Sequence, residues 1–65
     1  MITVNGERKD YDNALTIREF LIKEGYRIER IAVEVNEEIV PKSQYDTRYF
    51  NDEDKIEVIN FVGGG

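Results

Sequence analysis

LTIREFLIKEG, residues 15–25, predicts a short helix with recognisable signals at both ends. The Thr16 hydroxyl is placed to accept a hydrogen bond from the backbone N–H of Glu19. The Glu19 side chain is placed to accept one from the N–H of Thr16, which makes a reciprocal capping box. Gly25 then supplies the left-handed residue that commonly follows a helix. Together these signals predict one helix of about nine residues.

The apolar side chains of this helix lie on a single face. Ile17, Phe20 and Leu21 follow the i, i+3, i+4 spacing of an amphipathic helix. Leu15 and Phe20 are also placed to make a hydrophobic staple across the helix start. One apolar stripe requires one flat apolar partner, so the helix is expected to pack on a sheet.

The segments on either side of the helix have the character of strands. Asn5-Gly6 is typical of a tight hairpin turn, because both residues tolerate positive φ angles. Asn36 marks a second turn, and Pro41 ends the short strand that follows it. Five strands are predicted, at residues 1–5, about 7–11, 31–35, 39–40 and 56–62.

This order of elements predicts an α+β fold of the β-grasp (ubiquitin-like) class. A single helix covers only one face of a sheet, which excludes a doubly wound α/β fold. We expect a mixed sheet of four to five strands with the helix packed across one face and the last strand beside the first. Residues 1–62 would form this domain, and residues 63–65, all glycine, would form a flexible C-terminal tail.

Composition narrows the possible functions. The chain has 65 residues, too few to enclose a sizeable active site, and it contains neither Cys nor His. A hydrolase triad and a thiolate metal site are therefore excluded. A net charge of −5 argues against nucleic acid and favours a basic protein partner. With no apolar run long enough for a membrane span, we expect a cytoplasmic protein that binds no membrane.

The last strand carries apolar side chains on both of its faces. Because strand side chains alternate, Ile56 and Val58 are expected in the core beneath the helix. Glu57, Ile59 and Phe61 then point the opposite way. Two large apolar side chains beside a solvated glutamate predict a surface that binds another protein.

An alternative is that the second face of the sheet is covered from within the chain. Residues 41–55 are polar with scattered aromatic side chains, which fits an irregular loop or a single helical turn. This segment would then fold over Ile59 and less over Phe61, using Tyr45, Tyr49 or Phe50.

An acidic run, Asp52 to Asp54, precedes the last strand. Three neighbouring carboxylates are compatible with a metal cluster. Acidic residues between a loop and a strand more commonly form a solvated turn, which is the structure we expect here. No metal site is predicted.

The whole chain, including its capped helix, resembles the ThiS-type sulfur carriers of thiamine biosynthesis, which are ubiquitin-like proteins. The similarity rests on VNEEIVP followed by the aromatic Tyr45, on the acidic turn and on the terminal glycines. The family often has Trp near the position of Tyr45 and Gly within the turn, where this chain has Glu53. These departures affect packing and turn geometry more than chemistry.

The resemblance implies a substrate protein rather than an enzyme, with no catalytic residue and no cofactor of its own. In such carriers an adenylating (E1-like) enzyme uses ATP to activate the C-terminal carboxylate. Sulfur from a cysteine desulfurase or sulfur relay protein then displaces AMP, and the thiocarboxylate donates sulfur to thiazole synthase. By this resemblance, the modified residue of this chain would be Gly65. The segment that enters the partners' active sites would be Gly63, Gly64 and Gly65. The predicted partner-binding surface is Ile59, Phe61 and Val62.

Two other functions remain open at this stage. The small subunit of molybdopterin synthase is also a β-grasp carrier that ends in Gly-Gly, although that family usually has longer chains. The second is a non-covalent β-grasp interaction module, in which the glycines take part in no chemical step.

Overall fold

The computed structural model describes residues 1–11 and 13–61 and contains a five-stranded sheet with one α-helix. In chain order the elements are β1 (Ile2–Val4), β2 (Glu7–Lys9), α1 (Ile17–Lys23), β3 (Ile31–Val35), β4 (Glu38–Val40) and β5 (Lys55–Asn60). Short 3-10 turns occur at Ile28–Arg30 and Lys42–Gln44. The strand order is β2-β1-β5-β3-β4, with β1 and β5 parallel. The predicted β-grasp fold, with the last strand beside the first, is therefore confirmed.

Both ends of α1 have the predicted caps. Thr16 and Glu19 form the complete capping box, with N···O distances of 2.9 and 3.2 Å. Gly25 has a φ of 81°, and its N–H donates to the carbonyl of Ile22 while the N–H of Tyr26 donates to that of Leu21. These two bonds make a Schellman motif. The helix is seven residues long, shorter than predicted, because both caps lie immediately outside it.

The two hairpin turns use residues with positive φ. Asn5 and Gly6 have φ values of 48° and 86°, and Asn36 and Glu37 have 52° and 71°. Two consecutive positive φ angles match the right-handed twist of the flanking strands. β3 has the predicted bounds and β4 begins one residue earlier than predicted, whereas β1 and β2 are shorter and β5 ends at Asn60 rather than at residue 62.

The core lies between α1 and the sheet. Ile17, Phe20 and Leu21 are completely buried, as the helical spacing predicts, and Ile56 and Val58 are buried beneath them. Phe20 lies among other aromatic rings, with centroids 5.2 Å from Phe50, 6.1 Å from Tyr11 and 6.4 Å from Tyr26. In the part of the chain that the structure describes, no helix is long and apolar enough to cross a membrane.

The segment between β4 and β5 lies on the helix side of the sheet. Tyr45 is 1% exposed within the core, and its carbonyl accepts a hydrogen bond from the N–H of Arg18. Phe50 packs edge-on against Phe20, and Tyr49 pairs with the helix cap residue Thr16. The alternative in which these aromatic side chains cover the other face of the sheet is therefore wrong. Aromatic side chains bury more area beside Phe20 than over a sheet face that carries glutamates.

The acidic turn is only partly solvated. Asp52 and Glu53 are exposed, as predicted, but Asp54 is 8% exposed. Its carboxylate accepts hydrogen bonds from the side-chain amide of Asn36 at 2.9 Å and from the N–H of Asn51 at 2.8 Å. The prediction of a fully solvated turn is wrong for Asp54, because these donors replace its water. Glu53 adopts a φ of 67°, the conformation that favours glycine.

Candidate functional site

The face of the sheet opposite α1 is open, and we call it the open face. The register of β3 with β4 and β5 sets its members, because residues directly opposite each other point to the same side. Glu34 pairs with both Ile39 and Glu57, and Ala32 pairs with Ile59. Continued alternation along the chain adds Phe61. On β3, β4 and β5 the open face contains Ala32, Glu34, Ile39, Glu57, Ile59 and Phe61, and alternation with the register of β1 and β2 adds Lys55, Thr3 and Arg8.

Two of the three residues predicted to bind partners are on this face and are accessible. Ile59 is 41% exposed and Phe61 is 56% exposed. The third, Val62, lies outside the described residues, as do Gly63, Gly64 and the predicted modification site Gly65. Large apolar side chains grouped on one exposed face are typical of a surface that binds a partner.

Sequence reasoning missed Ile39, which is the most exposed large apolar side chain among the described residues, at 71%. Its neighbour Val40 pairs with Val33 in the core and is 2% exposed. Because Ile39 and Val40 are adjacent and both apolar, their side-chain types do not show which of the two is exposed. The signal that was available is alternation, since a buried Val40 requires Ile39 to face outward.

Hydrogen bonds hold the last part of β5 on both sides, as far as Val58 towards β1 and as far as Phe61 towards β3. On one side the N–H of Phe61 donates to the carbonyl of Arg30 at 2.9 Å, which extends the ladder with β3. On the other side the side chain of Asn5 accepts from the N–H of Val58 at 2.9 Å, beyond the end of β1. The backbone of Phe61, the last described residue, is therefore held in place relative to the open face.

The open face also contains an unusual pair of charges. Glu34 and Glu57 lie directly opposite each other on β3 and β5, and both are half-buried. None of the ion pairs within residues 1–11 and 13–61 involves either of them. Like charges in this arrangement destabilise a sheet.

Little else in the described structure resembles a small-molecule site. A groove of about 150 Å³ lies on the other side of the domain near Tyr11, Leu15 and Phe50, and none of its lining residues belongs to the open face. Within the described ranges there is no group of three acidic side chains placed to hold a metal ion. The chemistry that the described part offers is therefore that of a binding surface.

Comparison with known proteins agrees with this geometry. The sequence profile of the ThiS family matches residues 2–65. The chain belongs to the ThiS family. A crystal structure of the thiamine biosynthesis protein ThiS from Geobacter metallireducens superposes with a TM-score of 0.83 at 31% identity, covering 98% of this chain and 97% of that one. A solution structure of a thiamine biosynthesis protein from the same organism gives 0.78 at 30% identity, covering 98% and 86%.

Sequences similar to this ThiS-family chain occur both as small proteins and as parts of larger proteins. An uncharacterised protein, ycf40, of Porphyra purpurea is 38% identical over 98% of this chain and 90% of its own length. Thiazole synthases of Paramagnetospirillum magneticum and Magnetococcus marinus are 41% and 34% identical over 98% of this chain. In each thiazole synthase the match spans only 20% of that protein.

Proposed function

We propose that this chain is a sulfur carrier for thiazole formation in thiamine biosynthesis, with the carboxylate of Gly65 as the reactive group. The observation that carries the proposal is the ThiS-family match, which runs through the glycine residues at positions 63–65. The two relatives named thiazole synthase support the thiamine pathway rather than the molybdopterin pathway.

Activation of a carboxylate explains why such a carrier needs a partner enzyme and ATP. A carboxylate is a poor electrophile, and coupling to AMP gives its carbonyl carbon a good leaving group. An oxygen of Gly65 attacks the α-phosphorus of ATP on an adenylating enzyme, and pyrophosphate leaves. The outer sulfur of a protein persulfide, supplied by a cysteine desulfurase or relay protein, then attacks the acyl carbon and displaces AMP, and a thiol reductant cleaves the S–S bond of the acyl disulfide that forms. The resulting thiocarboxylate donates its sulfur at thiazole synthase.

A glycine tail suits this chemistry for geometric reasons. Three residues extend at most ~10 Å beyond Val62, which is enough to enter a neighbouring active site from a docked domain. With no Cβ, they pass through a channel too narrow for other residues. Ordering them costs about 1 to 2 kcal/mol per residue, so the binding energy has to come from a surface elsewhere on the domain. The open face, which includes the last described residue Phe61, is the surface that we propose for this role.

Intact-mass measurement tests the proposal. The chain is incubated with an adenylating enzyme, ATP and a sulfur source, and we expect the mass increase that corresponds to one oxygen replaced by sulfur. A variant lacking Gly65 should show no increase while unfolding at the same temperature. An unmodified chain, with an enzyme that modifies another carrier in parallel, would refute the proposal. Binding to thiazole synthase or to the large subunit of molybdopterin synthase then separates the two pathways.

A further inference from the structure

The glutamate pair of the open face has a cost in the free domain that nothing in the described structure offsets. Residues directly opposite in an antiparallel ladder have Cβ atoms about 4.5 to 5.5 Å apart, so the carboxylates of Glu34 and Glu57 repel each other. Partial burial strengthens this repulsion by lowering the local dielectric constant. Lys55 is on the same face of β5, but it is exposed and makes no ion pair with either glutamate.

The surroundings of the pair are apolar towards β4 and towards the end of β5, while Lys55 lies on the same face at the start of β5. Ile39 lies directly opposite Glu34 on the β4 side, and Ala32 with Ile59 form the next row of the ladder. A protein that covers the exposed apolar side chains must also cover the two carboxylates. Burying unpaired charges is strongly unfavourable, so a partner that fits this face has to bring a cation.

We propose that Glu34 and Glu57 together receive an arginine of thiazole synthase, while Ile39, Ile59 and Phe61 pack against apolar side chains around that arginine. This inference rests on the function proposed above. A guanidinium is planar, permanently charged and has donors along more than one edge, so it can bridge two carboxylates. In the complex it replaces a repulsion by two charge-assisted hydrogen bonds.

Two observations select thiazole synthase as the occupant. Relatives with that name contain a segment similar to this chain within one polypeptide, and such linkage keeps two surfaces at a high effective concentration. The net charge of −5 also favours a basic surface over an acidic one. A second copy of this chain fits poorly, because it would bring two glutamate pairs together.

The test measures binding and stability of the same variants. Purified thiazole synthase is titrated with the full chain, with Glu57→Gln and with Glu34→Gln, at low and high salt. We expect each variant to bind at least about tenfold more weakly, which is 1.4 kcal/mol, and to lose part of the salt dependence. The same variants should unfold about 1 to 5 °C higher, because the repulsion is removed. Glu7→Gln is the matched control: it removes the same charge from an exposed position on β2, so both quantities should stay unchanged.

Several results would overturn this inference. If Glu57→Gln and Glu34→Gln bound thiazole synthase as tightly as Glu7→Gln does, the role of the pair would be refuted. Weakened binding to the adenylating enzyme alone would show that the occupant is wrong, and concentration-dependent dimers in sedimentation would assign the face to a second copy. The mass assay tests the proposed function separately from the role of the glutamate pair. A chain that forms the thiocarboxylate retains its proposed function whatever the result of the binding test.

Discussion

Replacing Phe61 by Asp should damage the complex with the adenylating enzyme more than it damages the fold. Phe61 is 56% exposed, and a Phe side chain offers roughly 200 Å² for burial, so docking would cover about 110 Å² more. At about 25 cal/mol per Å², that area is worth about 2.8 kcal/mol, or about a hundredfold in affinity. The aspartate also adds a third carboxylate to the open face, and covering an unpaired charge weakens binding further.

The effect of Phe61→Asp on the fold should be smaller. The side chain lies outside β5 and is already more than half exposed, so the free energy of unfolding should fall by no more than about 1 to 2 kcal/mol. The backbone hydrogen bond to Arg30 does not depend on the side chain. Urea denaturation measures the loss of stability, and calorimetric titration with the adenylating enzyme measures the loss of affinity.

Tyr49→Asp provides the matched control. Tyr49 is an aromatic residue with a similar exposure of 53%, but it lies on the helix side of the sheet. This variant should bind the enzyme as the unaltered chain does. If Phe61→Asp lost stability but kept its affinity within about twofold, Phe61 would be a packing residue and the reasoning about the open face would be refuted.

Two further predictions concern the stability of the domain. Asp54→Ala should lower the free energy of unfolding by about 2 to 4 kcal/mol, because it removes two charge-assisted hydrogen bonds to a buried carboxylate. Asp52→Ala, at an exposed position, should lower stability clearly less in the same urea titration. Equal losses for the two variants would contradict the importance of the hydrogen bonds to Asp54. Burial, and then the hydrogen bond to Glu24, raises the pKa of Tyr11 to about 12 from 10.0. A raised pKa favours the neutral phenol of the folded state, so stability should be fully present below pH 10.0 and fall as the pH rises towards 12. In denaturation measured from pH 9 to 12, Tyr11→Phe should reduce the loss of stability that accompanies rising pH. If the loss were unchanged in this variant, other groups would be responsible for it.

Local signals in the sequence were sufficient for the elements that determine the fold class. The caps of α1 at Thr16 and Gly25 and the Asn5-Gly6 turn each depend on residues within four positions of one another. Alternation along β5 likewise separated the buried Ile56 from the exposed Ile59. Such signals need no knowledge of the tertiary structure, which is why they succeeded.

The features that sequence reasoning missed depend on distant contacts. Asp54 is buried because Asn36, 18 residues earlier, donates to it. The side on which Tyr45 packs is decided by the core beneath α1, and its polar neighbours in sequence do not reveal this. The opposition of Glu34 and Glu57 follows from the β3–β5 register, which the hydrophobic pattern alone leaves unspecified.

Deleting residues 63–65 should abolish thiocarboxylate formation but change the affinity for the adenylating enzyme by less than about tenfold, that is 1.4 kcal/mol. Ordering three glycines costs about 3 to 6 kcal/mol, which cancels most of what their backbone hydrogen bonds contribute in the complex. The exposed parts of Ile39, Ile59 and Phe61 contribute a comparable amount, about 3 to 6 kcal/mol, and these remain in the truncated chain. We therefore expect affinity to depend mainly on the open face and thiocarboxylate formation to depend on residues 63–65. Calorimetric titration of the truncated chain and of Phe61→Asp compares the two directly. If truncation weakened binding more than Phe61→Asp did, the glycines would be the principal binding element and this division would be wrong.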